Sequence, residues 1–349
     1  MKQRLTALIL LCALLTGCAA AGKGEQPLSA TVLAMDTVMN FTLYGGGMGE
    51  EQLRQALSGA EDTLRQLDAA LTAQGAEGEA AALNAADGGW TAVPQSGALL
   101  QQTLELAELT GGALDPTAYA AVKAWGFADG NYTVPNREEM DALKAAIDYT
   151  RVEVSQDGAQ ARLAPGQQID FGATAKGYAG DLLRRQLEQG GITSALLDLG
   201  QSSIAAVGSK PDGSPWRIGI QDPAADSGVY LGVLELRGRS MGTSGSYQRY
   251  FDRDGVRYCH IIDPATASPA RSGLAGVTVV ADSCLLCDGL STALFVMGLE
   301  EGVRFWRENS SLGFDVIFIT DAGEIFVTSG LKDSFSLADR EEREVQVLE

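Results

Sequence analysis

The chain holds a single histidine, His260, within Arg257-Tyr258-Cys259-His260-Ile261-Ile262-Asp263-Pro264. Imidazole is the side chain whose ordinary pKa lies nearest neutrality, so general acid–base chemistry at pH 7 starts from His260. The competing reading is a histidine satisfied by hydrogen bonds at a strand end. Thr243-Ser244-Gly245 upstream adds hydroxyls and Asp263 adds a carboxylate. These are the ingredients of a Ser-His-Asp hydrolase, but Ser244, between Gly242 and Ser246, does not stand in a G-x-S-x-G elbow, which argues against that chemistry. Asp288 and Thr292 stand four apart, so a helix would put both on one face. A carboxylate and a hydroxyl are hard oxygen ligands suited to Mg²⁺ or Ca²⁺. Their alternative is a polar patch on an apolar helix. In Asp170-Phe171-Gly172-Ala173-Thr174-Ala175-Lys176-Gly177-Tyr178 a strand ends, two glycines permit close backbone approach, and a helix begins. Helix N-termini bind anions, and Lys176 adds a positive charge there. The segment is neither a Walker loop nor G-x-G-x-x-G, and it also reads as a tight turn with an exposed lysine.

Several elements must position these groups. Alternation over 29–44 predicts two strands about Met35-Asp36-Thr37. Leu53, Leu57, Leu64, Leu67 and Leu71 predict an amphipathic helix over 51–70. The Ala/Gly-rich stretch 74–89 reads as loop. A helix over 95–110 is closed by Gly111-Gly112. A short helical segment runs from Asp115-Pro116-Thr117 to Trp125-Gly126-Phe127, and Asn136 caps a helix over 136–146. Strands near 150–154 and 159–163 precede the Asp170 segment, whose helix runs to Gln189. Further strands are predicted over 194–199, 203–207, 216–220, 229–236, 247–253, 256–262 and 276–281. A helix over 283–297, stopped by Gly298, carries Asp288 and Thr292. A short helix over 300–307 leads to a hairpin of 314–320 and 324–327. The charged end, 338–349, reads as a frayed helix. No internal repeat is visible. Helices dominate before residue 190 and antiparallel strands after it. The fold class is therefore α+β, one large domain of mixed, mostly antiparallel sheets with packed helices, rather than a doubly wound parallel sheet.

The first residues have the composition of a leader rather than of a fold. Lys2 and Arg4 precede an apolar run over 5–15, and Leu15-Thr16-Gly17-Cys18 has a small-residue cleavage pattern. Cysteine at that point resembles a bacterial lipobox. Residues 1–17 are then a lipoprotein signal peptide, Cys18 is the acylated N-terminus and 18–28 is a tether. The expected location is the extracytoplasmic face of a bacterial membrane, anchored by lipid rather than by a spanning helix. The full chain carries a net charge of −19, and losing Lys2 and Arg4 lowers it to −21. Such a surface repels nucleic acid, and an anionic substrate would need a metal, a lysine or helix N-termini. Cys284-x-x-Cys287 has redox or metal spacing. With one histidine and no second C-x-x-C, the better reading is two small apolar residues near a helix start, with a labile disulfide as the minor alternative.

Taken in order, Met35-Asp36-Thr37, Leu114-Asp115-Pro116-Thr117, Trp125-Gly126-Phe127, Asp170 to Tyr178, Leu199-Gly200, Trp216 to Pro223, Thr243-Ser244-Gly245, His260 to Pro264, and Asp288 with Thr292 resemble the ApbE family of FAD:protein FMN transferases. The resemblance covers about residues 29–330, leaving 331–349 as a charged tail. It implies FAD as substrate, Mg²⁺ as cofactor and, as partner, an acceptor protein whose exposed threonine or serine receives FMN through a phosphoester as AMP leaves. It maps metal ligands onto the backbone carbonyl of Ala173 and the side chains of Asp288 and Thr292. It maps FAD contacts onto Met35, Asp115, Asp170, Lys176, Thr243, His260 and Asp263, and places Trp125 in the same pocket. His260 matches the base that activates the acceptor hydroxyl, and Lys176 serves at the phosphates. Two glycines of the family pattern are replaced here, by Gln201 and by Ala267, and Ala267 is expected to avoid positive φ. An FAD-scavenging lipoprotein and a metal-dependent FAD pyrophosphatase remain as alternatives.

Overall fold

The computed structural model describes residues 26–75, 77–338 and 343–349. The leader, Cys18 and most of the tether therefore lie outside the described residues. Nine strands form the main sheet: β1 (Leu28–Ala34), β2 (Thr37–Tyr44), β3 (Ser194–Asp198), β4 (Ser203–Gly208), β5 (Ser240–Gly245), β6 (Leu274–Ala281), β7 (Asp315–Thr320), β8 (Ile325–Thr328) and β9 (Val345–Leu348). They lie side by side in chain order. Neighbours are antiparallel except β8 and β9, which are parallel.

Both faces of the sheet are covered, as the alternating side chains require. In β7, Ile317 and Ile319 point to one core while Val316 and Phe318 point to the other. The first face meets a three-stranded sheet of Trp216–Gln221, Tyr230–Leu236 and Phe335–Leu337, which brings Trp216, Leu234 and Phe335 against Ile204 and Val280. Seven helices occur among the described residues: α1 (Glu50–Leu71), α2 (Glu79–Ala85), α3 (Gly97–Leu109), α4 (Tyr119–Ala124), α5 (Arg137–Ala146), α6 (Ala175–Gln189) and α7 (Cys284–Glu308). α1 buries the predicted leucine stripe, and Asn136 caps α5 by accepting from the Glu139 N–H.

α7 is packed against β5, β6 and α6. Glycines let it sit that close. A Cβ at Gly177 of α6 would lie 2.7 Å from Asp288 Cβ, and one at Gly242 of β5 would lie 2.7 Å from the Asp288 nitrogen. α7 breaks at Gly298 (φ 82°), the predicted stop.

Five local expectations are corrected. The stretch 74–89 is not all loop, because α2 buries Ala80, Ala81 and Leu83. β5 is a strand that its small residues, SMGTSG, did not advertise. The strand expected over 256–262 ends at Cys259. The tail is not helical where it is described: Val345–Leu348 pairs with β8, covering an edge that would otherwise present free backbone groups. Ala267, moreover, does take positive φ (55°), as does Gln201 (66°). Both loops keep the left-handed backbone that glycine would supply freely.

Candidate active site

One cleft of about 320 Å³ is walled by the β1–β2 turn, the loop before α4, the start of α6, β5, the segment after Cys259 and the first turns of α7. Asp288 lies at its base, 5 % exposed. Its Oδ2 accepts the Gly177 N–H at 2.9 Å and its Oδ1 accepts the Ser203 hydroxyl at 2.8 Å. Among the described residues it makes no ion pair. A buried carboxylate served only by neutral donors lacks a counter-charge.

The Gly177 N–H is one of the first-turn donors of α6, which have no carbonyl within the helix to bond, and Asp288 takes it up. The Ala173 carbonyl, just ahead of that helix, has no protein donor among the described residues. Thr292 Oγ1 completes the neighbourhood, 3.1 Å from Ser244 Oγ, which is itself 2.9 Å from Ser291 Oγ. Ala173, Asp288 and Thr292 all line the cleft. The donor set is entirely oxygen, and no group of three or more His, Cys, Asp or Glu occurs among the described residues. An under-compensated carboxylate beside an uncommitted carbonyl and a hydroxyl fits a hard divalent cation. The three described cysteines are free and buried, and burial pushes all three thiols up, so Cys284 and Cys287 are packing residues.

His260 follows a hairpin of Tyr250–Arg253 and Val256–Cys259. Its N–H donates to the Arg249 carbonyl at 3.0 Å, and its Nδ1 lies 3.3 Å from the same oxygen. A carbonyl can only accept, so Nδ1 carries the proton and Nε2 keeps its lone pair. Desolvation, then the Arg249 charge and, less strongly, Lys176 push the imidazole down to about 4. At neutral pH it is uncharged and able to take a proton.

Other predicted residues fall into two groups. Lys176, on the first turn of α6, lines the cleft without an ion pair among the described residues. Thr243 lines it with Oγ1 2.9 Å from Thr278 Oγ1. Asp170 accepts the Gly172 N–H at 2.9 Å, and desolvation pushes its carboxyl up against the opposing pull of that N–H and Arg249. Asp115 lines the wall while clamping it, with Oδ1 on the Thr117 N–H and hydroxyl and Oδ2 on the Tyr149 N–H. Burial raises its carboxyl too. Met35 sits in the β1–β2 turn with φ 50°, beside Asp36 at 57°, its N–H held by Asp68. The second group stands off the cleft. Asp263 closes a turn on the Ala265 N–H and Thr266 hydroxyl, and Trp125, 3 % exposed, donates its indole N–H to the Ala267 carbonyl. These two brace the loop behind His260 rather than face a ligand.

Motif reading missed Ser203 and Arg249. For Ser203 the sequence carries no signal, since its partner lies far along the chain. For Arg249 it does: Asp254-Gly255 is a hairpin turn, and counting outward along the paired strands puts Arg249 opposite His260.

An α+β scaffold whose cleft combines a cation-seeking oxygen set, a helix-start lysine and a neutral histidine defines a class of enzyme that works on phosphorylated substrates. The model of the ApbE family matches residues 35–318, and the chain belongs to that family. It is 34% identical over 332 residues to the FAD:protein FMN transferase of Treponema pallidum (strain Nichols), covering 89% of each chain. It is 33% identical over 339 residues to the protein of the same name from Klebsiella pneumoniae (strain 342), covering 92% of this chain and 93% of that one. In structure it is similar to the apo flavinyl transferase ApbE of Pseudomonas stutzeri, with TM-score 0.79, 30% identity, and coverage of 90% of this chain and 98% of that chain. The ApbE protein of Thermotoga maritima gives TM-score 0.81 at 27% identity, over 88% and 99%.

Proposed function

We propose that this enzyme transfers FMN from FAD to a threonine or serine hydroxyl of a protein acceptor, forming a phosphoester and releasing AMP. The observation that carries the reading is the buried Asp288 carboxylate, which makes no ion pair among the described residues, beside the Ala173 carbonyl, which has no protein donor among them. Ala173, Asp288 and Thr292 would hold Mg²⁺, which when bound shields the pyrophosphate and polarises the leaving phosphate. The start of α6 and Lys176 orient the anion. His260 Nε2 takes the proton of the acceptor hydroxyl as that oxygen bonds to the phosphorus of the FMN half. The bond from that phosphorus to the AMP oxygen breaks. A neutral imidazole is in the right state to receive that proton, and such assistance is worth roughly 10²–10⁴-fold.

The test combines signal-free protein, FAD, Mg²⁺ and a candidate acceptor domain, with intact masses and AMP as readouts. The expected result is an acceptor mass gain of one FMN matched by AMP, lost when Mg²⁺ is chelated and restored when it is returned. AMP with free FMN and no modified acceptor, across several acceptors, would make the enzyme a pyrophosphatase. Bound FAD without AMP would make it a flavin carrier. The leader and Cys18 support export and lipid anchoring at the extracytoplasmic face. Replacing Cys18 by alanine should then release the protein from the membrane fraction.

A further inference from the structure

We infer that Arg249 is a second phosphate-binding group of the cleft, its guanidinium holding the substrate's anionic pyrophosphate beside His260. The inference rests on the reading of the cleft as an FAD site. Two permanently cationic side chains line the cleft, Lys176 and Arg249, against four carboxylates, Asp36, Asp115, Asp170 and Asp288. In a chain of net charge −19, a pyrophosphate entering such a cleft needs every local cation it can meet.

Arg249 is also placed and oriented for the task. Its carbonyl takes both the backbone N–H and the Nδ1 proton of His260, so the two residues are fixed to each other across the base of the hairpin. Its Nη2 donates to the Phe127 carbonyl at 2.6 Å, which anchors one arm of the fork. It makes no ion pair among the described residues, although Asp170 is near enough to feel its charge. A guanidinium held at one arm, unpaired and facing an anion site presents its remaining N–H groups in a fixed plane. That geometry matches two phosphate oxygens at once, whereas Lys176 offers a point charge. The contact would set the phosphorus next to Nε2 of His260.

The test compares binding of FAD, ADP and riboflavin at fixed Mg²⁺ to wild type, Arg249→Gln and Arg249→Lys. Riboflavin carries the ring without phosphate, so its affinity reports on the fold and the flavin pocket. Arg249→Gln should weaken FAD and ADP about 10- to 100-fold, the loss expected of a charge-assisted bidentate contact, and leave riboflavin unchanged. Arg249→Lys should recover part of the loss. Equal weakening of riboflavin and FAD would reduce Arg249 to a brace for the hairpin and overturn the assignment, as would unchanged FAD binding in Arg249→Gln. Wild type that binds no FAD would instead remove the reading of the cleft itself.

Discussion

His260 and Asp288 carry opposite electrostatic problems. The imidazole is kept uncharged by burial and by Arg249, and the carboxylate is buried with no ion pair among the described residues. His260→Ala should leave FAD bound while transfer slows by roughly 10²–10⁴-fold, read by single-turnover AMP release. Because the folded imidazole titrates near 4, the acid limb of kcat/KM should fall well below the ordinary 6.5. The same shift bears on stability. Between pH 6.5 and 4 the unfolded chain binds the extra proton, so this contribution is complete above 6.5 and is lost as pH falls toward 4. Melting curves of His260→Ala should lack that part of the acid-side decline. Asp288→Ala should abolish the response to a Mg²⁺ titration while a melting curve shows the chain still folded, since losing the buried charge offsets the bonds lost from Gly177 and Ser203. The residue types were legible because few side chains do this chemistry. Their partners were not, because the Ser203 and Gly177 contacts to Asp288 exist only once α6, α7 and β4 meet. Asp263 belongs to a recognisable block yet serves a turn, which spacing alone does not reveal. Gln201 is exposed with φ 66°, so Gln201→Gly should stabilise the fold by about 0.5–1 kcal/mol, measured by denaturant midpoint.

At the scale of elements, the site depends on how closely α6 approaches α7. Gly177→Ala would drive a methyl into the Cys284 carbonyl and Asp288 Cβ. The expected cost is about 1–3 kcal/mol, with a larger loss of Mg²⁺ affinity than of FAD-ring affinity, because the shifted N–H would no longer hold Asp288. A melt paired with metal titration separates the two effects. The long amphipathic helices and the β1–β2 hairpin were readable from periodicity, since each buries one face on a single core. The short α2 and the glycine- and serine-rich β5 were not. Neither has a hydrophobic period of its own, and both are made regular by what they pack against.

At the scale of the molecule, the main sheet is a meander that supplies Thr243 and Ser244 from within β5, while His260, Lys176, Asp115 and Asp288 sit on excursions from it. The last described segment closes one side: β9 adds to β8, and Arg343 pairs with the nearly buried Asp222 at 2.7 Å. Truncation after residue 338 should lower the melting temperature and promote aggregation through the bared β8 edge, yet leave FAD affinity intact, because no cleft residue lies there. Equal loss of FAD binding would show that the edge supports the site. The placing of helices before residue 190 and antiparallel strands after it pointed to the mixed class. The sequential strand order could not be read, because pairing between distant strands leaves no local pattern.

That order carries a consequence for how the protein is made. β2 finds its inner neighbour only in β3, which ends at Asp198, so the whole helical excursion must emerge before the first hairpin can be sealed into the sheet. From there each strand meets a partner already in place, with the second sheet and the His260 hairpin arriving as the growing edge advances. Until β3 arrives, β2 presents the backbone groups that β3 will pair, while α1, the next element made, already covers part of the hairpin's inner face.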